Sequence, residues 1–127
     1  MNASKTILVV EDEVALNQAL IDTLLRSGYK AIGVMNGEKG LNLAYNSRPD
    51  LIILDAMMPV MGGLEMLKLL RQDKWGSTVP VILLTNVNNF EQAPVLKTDP
   101  NIELLIKSDT GLEELLQHIR RRLGDLT

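Results

Sequence analysis

Short apolar runs that each end at a polar residue constrain the fold of this chain most strongly. Four of them cover residues 7–10, 51–54, 81–84 and 102–106, and they are followed by Glu11, Asp55, Thr85 and Lys107. Runs of this length and composition are typical of buried parallel strands. Stretches with helical features separate the strands, and this alternation predicts a parallel sheet with right-handed crossovers and helices on both faces.

The helical stretches can be placed from their periodicity and their caps. Residues 13–27 predict a first helix that stops at Gly28, and residues 29–34 predict the remaining strand. Asn36 is a good cap for a second helix to about residue 46, and residues 63–72 predict a third. In the last helix, leucine and isoleucine recur at helical spacing, Thr110 and Glu113 suit a capping box, and His118 is expected to face solvent.

The stretch between residues 85 and 102 fits a regular helix poorly. Pro94 is tolerated only in the first turn of a helix, and Pro100 ends any helix before it. We therefore expect a short fourth helix, over residues 93–98.

Composition limits the class of protein. The 127 residues are 46% hydrophobic, enough for one domain with a real core, and no cysteine is present for a disulfide or a thiolate metal site. The net charge of −3 gives no reason to expect nucleic-acid binding. No apolar stretch approaches the roughly 18 residues of a membrane span. We expect one cytoplasmic domain over residues 1–127, with no output domain.

Polar residues at the strand ends suggest a single site. Open parallel sheets bind ligands at the carboxyl ends of their strands, where Glu11, Asp12 and Asp55 would meet. Clustered carboxylates are costly without a cation, and oxygen ligands alone favour Mg²⁺ over zinc. Lys107 and Thr85 at the same edge suit a phosphoryl group, and an aspartate can itself be the nucleophile that accepts one.

Taken together, these stretches resemble the receiver domains of two-component response regulators, the CheY-like superfamily. The matching segments are residues 9–13, 54–63, 84–85 and 106–107, in the same order and spacing over essentially the whole chain. The resemblance implies a flavodoxin-like (βα)5 doubly wound fold with strand order 2-1-3-4-5. It also implies a signalling module rather than an enzyme, although one that assists its own phosphorylation and dephosphorylation.

The resemblance assigns roles to individual residues. Asp55 would accept a phosphoryl group from a sensor histidine kinase or a histidine phosphotransfer protein. Asp12, Asp55 and the main-chain carbonyl of Met57 would bind Mg²⁺, with Glu11 acting largely through water, while Thr85 and Lys107 would hold phosphoryl oxygens. Output would pass to a protein partner, or to a second copy, through the face of the fourth helix, fifth strand and fifth helix, without direct contact to nucleic acid or membrane.

Three positions depart from the family pattern. Ser108 follows the lysine where proline is usual, Leu104 occupies the place of an aromatic switch residue, and Asn86 follows the threonine where a small residue is usual. We therefore hypothesise that Asp55 is phosphorylated but that coupling of Thr85 to an aromatic rotamer is absent. Met57 and Val87 flank the site and cannot orient an attacking water, which predicts slow dephosphorylation.

Other functions were weighed against this one. A receiver-like interaction module that does not use phosphate is the main alternative, and weak Mg²⁺ binding would identify it. An aspartate-dependent phosphatase of the haloacid dehalogenase type would need an acid two residues after Asp55, where Met57 stands. A dinucleotide site would need a glycine-rich turn after the first strand, where this chain has acids.

Overall fold

The structure is a computed structural model that describes residues 4–58, 60–86 and 98–125. Five parallel strands form one sheet in the order β2-β1-β3-β4-β5. They are β1 (Thr6–Val10), β2 (Lys30–Val34), β3 (Leu51–Asp55), β4 (Val81–Thr85) and β5 (Ile102–Ile106). The helices are α1 (Val14–Arg26), α2 (Gly37–Ser47), α3 (Gly63–Gln72) and a C-terminal helix (Leu112–Leu123). The predicted fold and strand order are confirmed; the predicted fourth helix lies outside the described residues except for Thr98.

Both faces of the sheet are covered, which explains why the strands are apolar throughout. Strands alternate their side chains between the two faces, so consecutive residues enter different cores. One core joins Leu8, Ile52 and Leu83 to α2 and α3, and the other joins Ile7, Ile53 and Ile82 to α1 and the C-terminal helix. All five residues of β3, and all five of β4, are buried. β3 and β4 are thus the two strands that are buried along their whole length.

The predicted helix ends were right at two places and wrong at one. The Asn36 side chain accepts from the Lys39 amide at 2.9 Å, and Gly28 leaves α1 with a φ of 93°. The predicted capping box at Thr110 is absent, because Gly111 is the N-cap of the C-terminal helix. The Thr110 hydroxyl instead donates to the Ile106 carbonyl at 2.9 Å, across a 3₁₀ turn at Lys107–Asp109.

His118 does not face solvent as predicted. Its side chain is largely covered and contacts the Glu103 carboxylate of β5, to which Arg122 also donates at 2.9 Å. The helical pattern of the C-terminal stretch could not predict this contact, because Glu103 lies on a different element, the strand β5. Among the described residues, no helix is long and apolar enough to cross a membrane.

Candidate active site

Side chains from four strands meet at the carboxyl edge of the sheet. Glu11 directly follows β1, Asp55 ends β3, Thr85 ends β4, and Lys107 directly follows β5. The parallel register sets these ends side by side, with Asp55 opposite Leu84 and Thr85 opposite Ile106. Glu11, Asp55 and Thr85 are buried, with 1%, 4% and 1% of their surface exposed. The strand ends predicted from sequence therefore do converge.

Three carboxylates form the centre of the site. Oxygen atoms of Glu11, Asp12 and Asp55 all lie within 4.8 Å of one another. Carboxylates this close repel each other unless a positive charge lies among them. The donor set is all oxygen, which suits a hard divalent cation such as Mg²⁺.

Lys107 supplies the positive charge within this cluster. Its Nζ donates to Oδ2 of Asp55 at 3.1 Å and lies 3.0 Å from Oε1 of Glu11 and 3.7 Å from Oε1 of Glu13. The ammonium is close to Glu11 but poorly directed, so Oε1 is buried with no hydrogen-bond donor among the described residues. A buried carboxylate oxygen without a donor is costly, and a bound cation would satisfy it. The residues present therefore fit a divalent metal ion.

The pKa values of Glu11 and Lys107 reflect this geometry. Burial raises the pKa of Glu11 to about 7, with a smaller contribution from the charge of Asp55, against the opposing effects of the Glu13 amide and Lys107. Burial alone would lower the pKa of Lys107, but the nearby carboxylates of Glu11 and Asp55 outweigh burial and raise it. Lys107 is consequently a permanent cation beside Asp55 at neutral pH.

The loop after β3 holds Asp55 from its other side. The Met57 amide donates to Oδ1 of Asp55 at 3.1 Å, and the Ala56 amide donates to the Leu84 carbonyl at 2.8 Å, which continues the sheet past Asp55. The Met57 side chain is 56% exposed, whereas Met58 and Met61 pack against the core. Metal binding by the Met57 carbonyl stays a prediction.

Thr85 lies at the correct edge but has a local partner. Its hydroxyl donates to the main-chain carbonyl of Asn86 at 3.1 Å. A phosphoryl oxygen would be a stronger acceptor than this carbonyl, because charge strengthens hydrogen bonds. Binding of a phosphoryl oxygen by Thr85 stays a prediction. Leu104, at the position of the family's aromatic residue, is partly buried against the core.

Asn17 is a buried polar residue that the sequence reasoning missed. Its side-chain amide donates to the main-chain carbonyls of Glu11 at 2.9 Å and Val34 at 3.0 Å. A signal was present, because Asn17 shares the apolar stripe of α1 with Leu20 and Leu24 at spacings of three and seven. A polar residue on such a stripe must find buried partners.

One substitution in the acid cluster is expected to raise the stability of the metal-free protein and to remove its response to Mg²⁺. Asp12→Asn removes one of three clustered charges, so in Mg²⁺-free buffer we expect Tm to rise by roughly 3–6 °C, the shift for about 1 kcal/mol in a domain of this size. Mg²⁺ should raise the Tm of the unsubstituted protein but not of the variant, because binding to the folded state alone stabilises it. Thermal unfolding with and without Mg²⁺ measures both.

The control for this prediction is Asp22→Asn, which removes an exposed acid from the middle of α1. It should change neither Tm nor the response to Mg²⁺. A fall in Tm for Asp12→Asn in Mg²⁺-free buffer would contradict the repulsion argument.

Comparison with known families and relatives shows which proteins this chain is similar to. Residues 7–120 match the family model described as the response regulator receiver domain. The polar-differentiation response regulator DivK of Brucella anthropi is 38% identical, with 95% of this chain and 98% of DivK covered. Response regulator MprA of Mycobacterium sp. (strain KMS) is 34% identical over 92% of this chain and 50% of its own length. The chain thus spans half of MprA, and a third of PhoP from Bacillus subtilis, which is 44% identical over 82 residues.

Two solved structures with the same fold contain bound ligands. The receiver domain of the Pseudomonas aeruginosa sensor histidine kinase PA1611, with a magnesium ion coordinated in its active-site cleft, is 32% identical with a TM-score of 0.79, covering 96% of this chain and 99% of that one. The Thermotoga maritima response regulator TrrA, in complex with Mg²⁺ and beryllium fluoride, is 30% identical with a TM-score of 0.79, covering 93% and 98%.

Proposed function

This chain belongs to the response regulator receiver domain family, the phosphoacceptor modules of two-component signalling, and we propose that Asp55 is its phosphoacceptor. The observation that carries the proposal is the position of Asp55: it is the acid at the end of the central β3 strand, it accepts from Lys107, and its carboxylate lies within 4.8 Å of the other two. A phosphate-independent interaction module is not favoured, because the acids and the lysine are all kept and all converge.

Phosphoryl transfer to Asp55 requires a nucleophilic carboxylate and a means of handling charge. A carboxylate oxygen of Asp55 attacks the phosphorus of a phosphohistidine, the O–P bond forms, and the N–P bond breaks with its electron pair returning to the imidazole nitrogen. Lys107 already lies 3.1 Å from Oδ2 of Asp55 and can follow the charge onto the phosphoryl oxygens. The Thr85 hydroxyl can turn from the Asn86 carbonyl to one of those oxygens.

A divalent cation fits beside these groups. Asp12, Asp55 and the main-chain carbonyl of Met57 would hold Mg²⁺, with Glu11 acting largely through water. When bound, the ion would offset the repulsion between the phosphoryl oxygens and the carboxylates. We also propose that the chain assists its own phosphorylation and dephosphorylation, because all of the groups named above belong to this chain.

The partners follow from this chemistry. We propose a sensor histidine kinase or a histidine phosphotransfer protein as donor, in the cytoplasm, and a protein partner or a second copy of the chain as the receiver of the signal. The proposed output face includes β5 and the C-terminal helix, while its fourth helix lies mostly outside the described residues. The net charge of −3 supports signalling without direct contact of this chain to nucleic acid.

The test of the proposed function is a titration with Mg²⁺ and beryllofluoride, a mimic of the phosphoryl group, followed by amide NMR. We expect saturable shifts at Asp55, Thr85 and Lys107 that Asp55→Asn loses. The spread of shifts across β5 then tests the hypothesis on output, since unchanged Ile102–Ile106 amides would support uncoupling of Thr85 from that strand. No response even at high Mg²⁺ would instead support the phosphate-independent module.

Slow hydrolysis of the phosphoprotein is a further expected result. The exposed Met57 side chain borders the site but has no group that can orient water; Val87, the other flanking residue, lies outside the described residues. Met57→Asn places a polar amide there and should shorten the phosphoprotein half-life several-fold, less than the roughly 100-fold or more of a general acid or base, because an amide can only orient the water. Loss of the phosphoryl group after removal of the donor, followed by intact-mass spectrometry, gives the half-life.

A matched control lies in the same loop. Val60 is 79% exposed and has a φ of 70°, a conformation that asparagine tolerates better than valine. Val60→Asn should therefore keep both the fold and the half-life. A half-life of only seconds in the unsubstituted protein would contradict the prediction of slow hydrolysis.

A further inference from the structure

Asn17 joins the two strands that lead into the acidic site. The main-chain ladder between β1 and β2 ends at the pair Val10 and Val34, followed by a bond from the Glu11 amide to the Val34 carbonyl at 3.1 Å. The Asn17 side chain then donates to the carbonyls of both Glu11 and Val34. Since only the amide nitrogen can donate to two carbonyls, these contacts also fix the orientation of the carboxamide.

Asn17 also contacts the far side of the same turn. Its main-chain amide donates to the Glu13 carbonyl at 2.9 Å, and the Glu13 amide donates to Oε2 of Glu11 at 2.8 Å. The side chain of Asn17 is thus bonded to Glu11, which precedes Asp12, while the bond to Glu13 is the ordinary main-chain bond of the first turn of α1; neither contact touches any of the three carboxylates. From this arrangement we infer that Asn17 is a positioning residue, which holds the 11–13 turn so that Glu11 and Asp12 face Asp55 before a metal ion binds. This rests on the proposed Mg²⁺-dependent function.

Gly33 provides the space that this carboxamide needs. A Cβ at Gly33 would lie 2.5 Å from Oδ1 of Asn17 and 3.3 Å from two side-chain atoms of Ile21. Gly33 pairs with Val9 inside β2, where glycine weakens a strand, and its φ is not in the left-handed region. The close approach of Asn17 thus explains why position 33 has no side chain, and the two residues form one packed unit beside the turn.

The experiment is a double-substitution cycle read out by the Mg²⁺ dissociation constant. Asn17→Leu keeps the branched shape of the side chain but replaces both polar atoms by methyl groups, and Gly33→Ala displaces the carboxamide from outside the site. Loss of such a supporting bond typically costs about tenfold or more in metal affinity. We expect about a tenfold increase in Kd for Asn17→Leu, a smaller increase for Gly33→Ala, and no added effect of Gly33→Ala once Asn17 is leucine.

Two controls separate positioning from general destabilisation. Gln18→Leu makes the same type of change on the exposed neighbouring position of α1 and should leave Kd unchanged. Leu24→Val weakens the core at the other end of α1, so it should lower Tm without changing Kd. If Asn17→Leu lowers Tm but leaves Kd unchanged, or if the two substitutions add independently in Kd, the inference is overturned.

A metal-free readout decides the inference even if the unsubstituted protein binds no Mg²⁺, a result that would itself refute the proposed function. The Glu13 amide, bonded to the Glu11 carboxylate, reports the 11–13 turn by its chemical shift and hydrogen exchange. Positioning by Asn17 predicts faster exchange of this amide in Asn17→Leu and in Gly33→Ala, but not in Gln18→Leu. Unchanged Glu13 exchange in both variants would overturn it.

Discussion

Asp55→Asn is expected to abolish phosphorylation by acetyl phosphate or phosphoramidate in the presence of Mg²⁺. A carboxamide is not a competent nucleophile toward phosphorus, so incorporation should fall at least about 100-fold, and the residual signal should not saturate. The fold should survive, because the asparagine oxygen can still accept from the Met57 amide as Oδ1 does now. Intact-mass spectrometry of the protein after incubation with the donor measures the effect directly.

The matched control for this result is Asp50→Asn. Asp50 lies just before β3, at the opposite end of the strand from Asp55, is exposed, and accepts from the Thr6 amide through Oδ2 at 2.8 Å. The Asp50→Asn variant should be phosphorylated at Asp55 to the same extent as the unsubstituted protein. If Asp55→Asn still accepted one phosphoryl group at a similar rate, the acceptor would have to be Asp12 or Glu11, and the proposed role of Asp55 would be wrong.

The sequence was sufficient to predict the sheet because the pattern of an apolar run that ends at a polar residue occurs four times. Buried parallel strands need apolar residues on both faces, and β3 and β4 meet that demand at every position before their polar ends. The convergence of Glu11, Asp55 and Lys107 follows once the strands are parallel. The order of the strands, 2-1-3-4-5, does not follow from periodicity, and only the family resemblance predicted it.

The two errors came from contacts that the helical pattern of the C-terminal stretch does not encode, one of them local and the other between separate elements. Thr110 and Glu113 have capping-box spacing, but the Thr110 hydroxyl meets a carbonyl at the end of β5 instead. His118 has a polar position on its own helix, but the packing of that helix brings it to Glu103. A local pattern gives the propensity of a segment, whereas tertiary packing decides which partner a polar group finds.

Gly63→Ala is expected to destabilise the fold strongly. Gly63 begins α3 directly after the loop of the site, and its amide donates to the Ala56 carbonyl at 3.1 Å. A Cβ at this position would lie 2.1 Å from the main-chain oxygen of Asp55 and 2.8 Å from its carbonyl carbon. Both atoms belong to the backbone of the buried β3 strand, so neither can move aside as a flexible side chain would.

The sign of this effect separates two explanations for the glycine. Helix propensity alone predicts that alanine stabilises α3 by up to about 1 kcal/mol. The contact with Asp55 predicts the reverse, a loss of more than about 3 kcal/mol, at or above the upper range for overpacking, and a fall in Tm of more than about 10 °C. Because the strand must shift at Asp55, any folded fraction should also lose its response to Mg²⁺ and beryllofluoride.

Gly62→Ala is the control, one residue earlier in the chain. Gly62 is the N-cap of α3 with a φ of −73°, and a Cβ there would meet its nearest atom, the Ala56 carbonyl oxygen, at an ordinary 3.5 Å. This variant should therefore fold, keep its Tm within a few degrees, and bind Mg²⁺ as before. Thermal unfolding of the two variants side by side tests the argument: equal Tm values would mean that β3 and α3 can separate at Asp55 without cost, and that the close approach of Gly63 does not fix the position of the phosphoacceptor.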